Sequence, residues 1–251
     1  FFRRGIGLHA FLLLFSAFVS FLALNPLPRT FFAGFLGSPE TDTYDGAWGY
    51  WWVKETMEQE FTVKFYQDRT AYPEFRDVFF PDIPGAILSI PLQHMLGLPG
   101  AYNSIILLNL SLTFYATVLF LRSVVGGLAV SLAGASFFAL SPVVLCHVHN
   151  GLNQFVAAFY LPLGALVLER AERLSLRQIL PFALLVALAS FANWYYGAFL
   201  YMLFPLFFLR GIARSAGVER RRFFLRFALF SLLCGLLTAP GAFLLWKGSK
   251  R

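Results

Sequence analysis

Three carboxylates lie close together in the short stretch SPETDTYDG at residues 38–46. They are Glu40, Asp42 and Asp45. Carboxylates at this spacing can act as a general base toward a hydroxyl group, or can hold a divalent cation. Because acids at short range repel one another, their grouping at the edge of an apolar run indicates a use. The structural alternative, that Asp45 merely caps a helix, leaves Glu40 and Asp42 without a role.

A second polar group, CHVHNGLNQ at residues 146–154, separates two apolar runs. His147, His149 and Asn150 are its candidate binding residues. A His-x-His pair alone is a weak signal for a metal site. The alternative, equal in weight, is a polar turn that satisfies the end of a helix.

Arg69 and Arg76 are candidate ligands for an anionic group, because the planar guanidinium matches phosphate oxygens. Arg69 precedes the proline-containing stretch YPEFRDVFFPDIP at residues 72–84, and Arg76 lies within it. The prolines of this stretch predict irregular backbone between short helices. The alternative for each arginine is an ordinary solvated loop charge. No glycine-rich phosphate loop, HExxH or GxSxG motif occurs.

The elements that must position these groups are membrane helices. The chain is 58% hydrophobic and only 13% charged, whereas soluble domains carry about 25% charged residues. We therefore predict an all-α, polytopic helix bundle in the lipid bilayer. The net charge of +7 is attributed to arginines in cytoplasmic loops, and no nucleic-acid partner is expected.

Apolar runs long enough to cross a bilayer predict about seven spans. The run at 84–98 is short and contains Pro91, Gln93 and His94, which favours an interfacial or re-entrant segment. If 84–98 does not cross, the arginines of the later short loops lie on the same side as Arg3 and Arg4, as the positive-inside rule requires. The predicted spans are 6–26, 102–122, 126–146, 152–169, 178–195, 196–211 and 223–246.

This topology places the N-terminus in the cytoplasm and makes residues 27–101 the first, large extracytoplasmic loop. It also places the 146–154 segment on the same outer face as the three carboxylates. Within the loop, a helix is predicted over 46–58, with Asp45 or Thr43 as its N-cap. Three tryptophans at positions i, i+3 and i+4 would share one face of that helix and favour the membrane interface: Trp48, Trp51 and Trp52.

Taken together, ETDTYDGAWGYWWVKE, FFPDIPGAILSIPLQHMLGLPGAYN and ALSPVVLCHVHNGLNQFVAAFYLPLGALVLERAER resemble the GT-C superfamily of membrane glycosyltransferases. That resemblance covers nearly all of residues 1–251 and implies the N-terminal transmembrane module of such an enzyme, with 102–251 forming the remaining spans. It also implies that a C-terminal part is missing. The expected location is the bacterial inner (plasma) membrane.

The resemblance further implies sugar transfer from a polyprenyl-phosphate donor to an unknown extracytoplasmic acceptor. By position, Asp42 and Asp45 match the family's loop carboxylate, which acts as general base or helps to hold a divalent metal such as Mg or Mn. The adjacent Asp-Asp or Asp-Glu pair of some branches is absent here, so the metal stays an open alternative.

The resemblance makes the other polar residues named above candidates for substrate binding. Glu40, His147, His149 and Asn150 would support the site, and the two loop arginines would face the donor phosphate. The alternative function is a non-enzymatic transporter or flippase for lipid or polysaccharide, or an assembly protein of the same fold. A transporter would usually carry charged residues in the middle of its spans, and the apolar runs after residue 100 have none.

Overall fold

A computed structural model describes residues 6–24, 31–64, 66–67, 77–78, 82–170, 176–214 and 217–249. This part of the chain is all-α apart from a short antiparallel ladder of two strands, β1 (Tyr66–Gln67) and β2 (Asp77–Val78). The all-α part of the predicted fold class is therefore confirmed. The helices are α1 (Ile6–Ala23), α2 (Thr43–Glu60), α3 (Ile83–Val124), α4 (Leu128–Ala139), α5 (Pro142–His149), α6 (Asn153–Val156), α7 (Tyr160–Arg170), α8 (Leu176–Ala192), α9 (Trp194–Arg214) and α10 (Val218–Ser249).

Three of the described helical stretches are long and apolar enough to cross a membrane: Ile6–Ala23, Ile83–Val124 and Arg221–Phe243. A fourth results if α4 and α5, which meet at a bend of 42°, form one broken span. The other apolar helices that the same criteria single out, Asn153–Glu169 and Ile179–Ala192, are shorter.

The 84–98 run is helical and belongs to α3, but the helix is broken within it. Gly97 has φ 72° and ψ 172°, outside the helical region. Pro99 follows two residues later and disfavours a helical conformation at Leu98. The break separates a first segment, 83–96, from the long apolar segment 98–124. The short segment predicted at 84–98 from its length and prolines therefore corresponds to 83–96, the part of α3 that precedes the break.

The chain divides into two compact units, and the first comprises Phe1–Val63 and Pro81–Pro162. Its larger core joins α2, α3, α5 and α6 through buried side chains that include Val53, Tyr102, Val148 and Val156. A second core joins α1, α3 and α4 around Leu12 and Phe114. Both acid-bearing and histidine-bearing segments lie in this first unit.

The second unit comprises Lys64–Phe80 and Leu163–Arg251. Its helix α8 packs against α9 and α10 through stacked aromatic rings. Phe182 lies 5.7 Å from Phe204 and 5.2 Å from Phe230, measured between ring centroids. Phe204 and Phe230 are 3.9 Å apart.

Helix α2 confirms the predicted helix over 46–58 and extends it at both ends. Its three tryptophans form one cluster, as their spacing predicts. The rings of Trp48 and Trp52 stack at 5.3 Å, and Trp51 lies 6.2 Å from each of them. The face that packs into the core includes Ala47, Tyr50 and Val53, and Trp52, at 5% exposure, is buried as well.

The predicted N-cap of α2 is wrong. The N-cap position is occupied by Asp42, whose side chain makes no capping hydrogen bond, and the helix begins at Thr43. Thr43 is buried and packs against the backbone of a distant loop, which fixes the start of the helix three residues earlier than expected. Asp45 instead lies in the first turn, where its negative charge interacts favourably with the helix dipole.

Candidate functional site

The three carboxylates lie on an exposed turn whose backbone is held by local hydrogen bonds. Glu40, Asp42 and Asp45 are all exposed. The Thr41 hydroxyl donates to the Ser38 carbonyl at 2.8 Å, and the Thr41 N–H donates to the same carbonyl at 3.3 Å. The carboxylates are thus accessible to a ligand while the backbone that carries them is fixed.

This acidic loop, defined as residues 38–45, packs against the loop that follows α5. The Ser38 N–H donates to the His149 carbonyl oxygen at 2.8 Å. Gly151 lies so close to Thr43 that a Cβ atom at position 151 would overlap the Thr43 backbone. Two segments more than 100 residues apart in sequence are thereby brought into contact.

The histidine segment at 146–154 contacts the acidic loop mainly through its backbone. The His149 side chain is exposed, and its carbonyl is the group that meets the acidic loop. The His147 ring is half-buried and stacks on Phe155 at 4.7 Å, with no hydrogen-bond partner for Nδ1. The Asn150 amide donates to the Cys146 sulfur at 3.5 Å, one turn back on its own helix.

No group of three or more His, Cys, Asp or Glu side chains that could hold a metal ion occurs among the described residues. A magnesium or manganese ion on Asp42 and Asp45 would therefore need further ligands from water and a substrate phosphate. Magnesium is commonly held in that way, by one or two carboxylates. Arg69 and Arg76, the candidates for a phosphate, lie outside the described residues.

Asn103 on α3, which is fully buried, also holds this region in place. Its Oδ1 accepts from the Leu36 N–H at 2.8 Å. Its Nδ2 donates to the carbonyls of Phe31 at 2.9 Å and Gly34 at 2.8 Å. The chain leading into the acidic loop is therefore pinned to α3, with both polar atoms of the Asn103 amide satisfied.

Beneath the acidic loop lies a buried polar group that the sequence did not predict. We call it the Asp82 cluster, and its members come from α2, the N-cap of α3, α3 itself and α6. Every member is less than 9% exposed. The members are Tyr50, Asp82, Tyr102, Asn109 and Asn153.

Asp82 joins two helices. Its Oδ1 accepts from the Gly85 N–H at 3.1 Å, which caps α3, and its Oδ2 accepts from the Tyr50 hydroxyl of α2 at 3.1 Å. Gln93 of α3 reinforces the same contact, since its Nε2 donates to the Tyr50 carbonyl at 3.0 Å. Position 85 must be small, because a Cβ atom there would overlap the Asp82 carboxylate.

Burial controls the protonation of this pair. It raises the pKa of the Asp82 carboxyl to about 6, although the Gly85 N–H, the Tyr50 hydroxyl and the Asn109 side chain act in the opposite direction. Burial, followed by the nearby Asp82 charge, raises the pKa of Tyr50 well above its usual value. Tyr50 therefore stays protonated and donates its hydrogen bond at all physiological pH values.

The Asp82 cluster reaches the acidic loop through Tyr102. The Tyr102 hydroxyl would lie 3.5 Å from a Cβ atom placed on Gly46, the residue after Asp45, and the Gly151 carbonyl lies against the same point. The sequence held one signal for this cluster. An Asp directly before a proline-containing, apolar helix start is a typical N-cap, but its partners across the fold could not be inferred.

Comparisons of the chain with protein-family models, with curated proteins and with solved structures find no match. The assignment of chemistry to these residues therefore depends on their own geometry.

The contact between the two loops can be tested at Gly151, which has φ +72°. Gly126 is a matched control, because it has φ +82° and a Cβ atom there would meet nothing within 4 Å. Gly126→Ala should cost only the left-handed strain, about 1 kcal/mol. Gly151→Ala adds an overlap with Thr43 and should cost roughly 3 kcal/mol. Thermal unfolding in detergent measures both, and equal costs would show that the loops do not touch.

The protonation of Asp82 can be tested by the pH dependence of stability. Since the folded pKa of about 6 lies above the unfolded value of about 3.9, the folded state binds the proton more tightly between these values. Stability linked to Asp82 is then fully present below about pH 4 and is lost as pH rises through 6.

The free energy of unfolding of the wild type should fall, relative to that of Asp82→Asn, by about 3 kcal/mol over this pH range, because the pKa of Asp82 is shifted by about two units. Unfolding temperatures of the wild type and of Asp82→Asn, measured from pH 4 to pH 7.5, give this difference. A constant difference between the two proteins over that range would contradict the raised pKa.

Proposed function

We propose that this chain is the N-terminal transmembrane module of a GT-C-type glycosyltransferase, which moves a sugar from a polyprenyl-phosphate donor to an extracytoplasmic acceptor. The observation that supports the proposal is the acidic loop. Its carboxylates are exposed, while its backbone is fixed to the 147–151 loop and, through α2, to α3. A catalytic base needs both properties, access to the substrate and a rigid support.

The chemistry assigns a distinct task to each group. Asp42 or Asp45 removes the proton from the acceptor hydroxyl as that oxygen attacks the anomeric carbon. The bond from that carbon to the phosphate oxygen breaks, and the polyprenyl phosphate leaves with the bonding electron pair. Positive charge near the leaving phosphate lowers the barrier, and Arg69 and Arg76 are proposed for this task.

The remaining candidates support the site from its edge. Glu40 lies on the acidic loop, and Asn150 and the two histidines lie on the loop that contacts it. His149, which is exposed, is proposed to contact the donor or the acceptor. His147 is half-buried beside Phe155, so its proposed task is to shape the edge of the site.

The donor determines where the site must lie. A polyprenyl phosphate presents its headgroup at the membrane surface, so the acidic loop must reach that depth. We propose seven spans, a cytoplasmic N-terminus and a location in the bacterial inner membrane. In this arrangement α2 lies along the outer surface, with the partly exposed Trp48 and Trp51 at the interface that such rings favour.

A second candidate function, transport of a lipid-linked sugar, is favoured by the Asp82 cluster. Buried ionisable residues in membrane proteins often mark an ion or substrate pathway. The two functions differ in which acids matter. Sugar transfer depends on the exposed carboxylates of the acidic loop, whereas transport would depend on the buried Asp82.

Substitution of the acidic loop tests the enzymatic function. Asp42→Asn or Asp45→Asn keeps the shape and removes the charge. In the variant that lacks the base, the rate of sugar transfer should fall roughly a hundredfold or more. The unfolding temperature of either variant should change little, because both residues are exposed. Glu55→Gln removes a charge from the same helix away from the loop and should transfer sugar normally.

The assay is transfer from a polyprenyl-phosphate sugar by the intact protein in lipid nanodiscs, normalised to folded protein. Near-normal turnover in both Asn variants would overturn the catalytic assignment. Loss of lipid-linked sugar movement in Asp82→Asn, with no transfer activity in any variant, would favour transport.

Topology is tested with single cysteines in a background that lacks both native cysteines, Cys146→Ser and Cys234→Ser. Gln59→Cys, at the exposed end of α2, should react with an impermeant thiol reagent in intact cells. Val125→Cys, in the exposed turn between α3 and α4, should react only after the membrane is permeabilised. The opposite pattern would reverse the proposed orientation and place the acidic loop in the cytoplasm.

A further inference from the structure

The Asp82 cluster contains a carboxylate for which the described part of the chain provides no basic partner. The contacts of Asp82 are the Gly85 N–H, the Tyr50 hydroxyl and the side chain of Asn109. The other ionisable groups that face it are hydroxyls, those of Tyr50 and Tyr160. A buried carboxylate without a countercharge is strongly unfavourable.

The same cluster contains polar atoms that make no hydrogen bond of good geometry in the described structure, although the Asn109 side chain faces Asp82 and the Asn153 side chain faces the Tyr50 and Tyr102 hydroxyls. They are the Tyr102 hydroxyl, Asn109 Nδ2 and both polar atoms of the Asn153 amide. Tyr102 and Asn153 are 0% and 1% exposed, so bulk water does not reach them. Asn103, on the same helix as Tyr102 and Asn109, uses both ends of its amide. Buried polar groups of this kind are satisfied by an enclosed water molecule or ion.

The types of these groups restrict the ligand. Carboxylate, hydroxyl and amide oxygens are hard ligands that suit hard cations. Asparagine can present its oxygen by a half-turn of its amide, and the Asp82 carboxylate has about four acceptor positions, of which three face the contacts above. The cluster therefore supplies one carboxylate and as many as four neutral oxygens.

The charge of the cluster selects among hard cations. One carboxylate balances one positive charge, whereas a divalent cation would leave an uncompensated charge in a buried site. No second acid is among the described groups that contact Asp82, which are the Gly85 N–H, the Tyr50 hydroxyl and the Asn109 side chain. A monovalent cation matches both the ligand types and the net charge.

We propose that the Asp82 cluster is a binding site for a monovalent cation, with sodium as the probe of choice. The ion lies among the Asp82 carboxylate, the two tyrosine hydroxyls and the two asparagine side chains. Because these groups come from α2, α3 and α6, the bound ion ties the three elements together beneath the acidic loop. The site is separate from the exposed carboxylates, and it does not depend on the proposed sugar transfer.

The experiment is a sodium titration of stability on the purified protein in detergent. Choline chloride replaces sodium chloride so that ionic strength stays constant. The wild type should show a saturable rise in unfolding temperature, which at a hundredfold excess over Kd amounts to roughly 5–10 °C. Choline alone should produce no rise.

Two variants locate the effect. Asp82→Asn removes the charged ligand and should abolish the sodium response. Tyr102→Phe removes one hydroxyl and preserves the ring, so it should fold and should shift the titration midpoint to at least severalfold higher sodium. Glu55→Gln, an acid on α2 outside the cluster, should respond as the wild type does.

Each possible result either supports the sodium site or overturns it. A sodium response that is lost in Asp82→Asn and weakened in Tyr102→Phe supports the site, and an equal response to potassium does so as well. The absence of a sodium response in the wild type overturns the proposal. So does a response that Asp82→Asn and Tyr102→Phe leave unchanged, or a response to magnesium or calcium alone.

Discussion

The hydrogen bonds of Asp82 hold together the part of the molecule on which the candidate site depends. One carboxylate caps α3 through the Gly85 N–H and binds the Tyr50 hydroxyl of α2. Helix α2 carries the acidic loop at its N-terminal end, so the position of the exposed carboxylates follows from that buried pair. Removal of Asp82 would take away the side-chain hydrogen bond between α2 and α3 and leave the bond from Gln93 to the Tyr50 carbonyl and the apolar contacts between the helices.

The acidic loop itself is held from three directions. Tyr50 anchors α2 below it, the His149 carbonyl and Gly151 meet it from the side, and Asn103 fixes the chain that leads into it. Rigid backbone beneath exposed acids is the arrangement expected of a catalytic or binding loop, because precise placement is needed where substrate arrives.

The sequence predicted the helical elements well because each has a local cause. The apolar runs became helices, and the spacing of the three tryptophans placed them in one cluster on α2. The start of α2 was predicted wrongly, because it is fixed by a contact between Thr43 and Gly151, 108 positions apart in the chain. The proximity of the histidine segment was inferred only through topology, and the structure adds that its backbone makes the contact.

The Asp82 cluster could not be predicted for the same physical reason. Tyr50, Asp82 and Asn153 are ordinary residues in their local segments, and only tertiary packing makes them neighbours. Local patterns reveal a cap or a polar turn, but they carry no information about which buried groups will lack partners.

The most direct test of sugar transfer is a structure of the intact protein in a lipid nanodisc with a polyprenyl-phosphate sugar bound. The proposal of sugar transfer predicts that the sugar lies against the acidic loop, with the acceptor-facing side of its anomeric carbon open toward Asp42 or Asp45 and its phosphate at the outer membrane surface. A donor bound on the opposite face of the membrane, or held with the sugar away from residues 38–45, would contradict it.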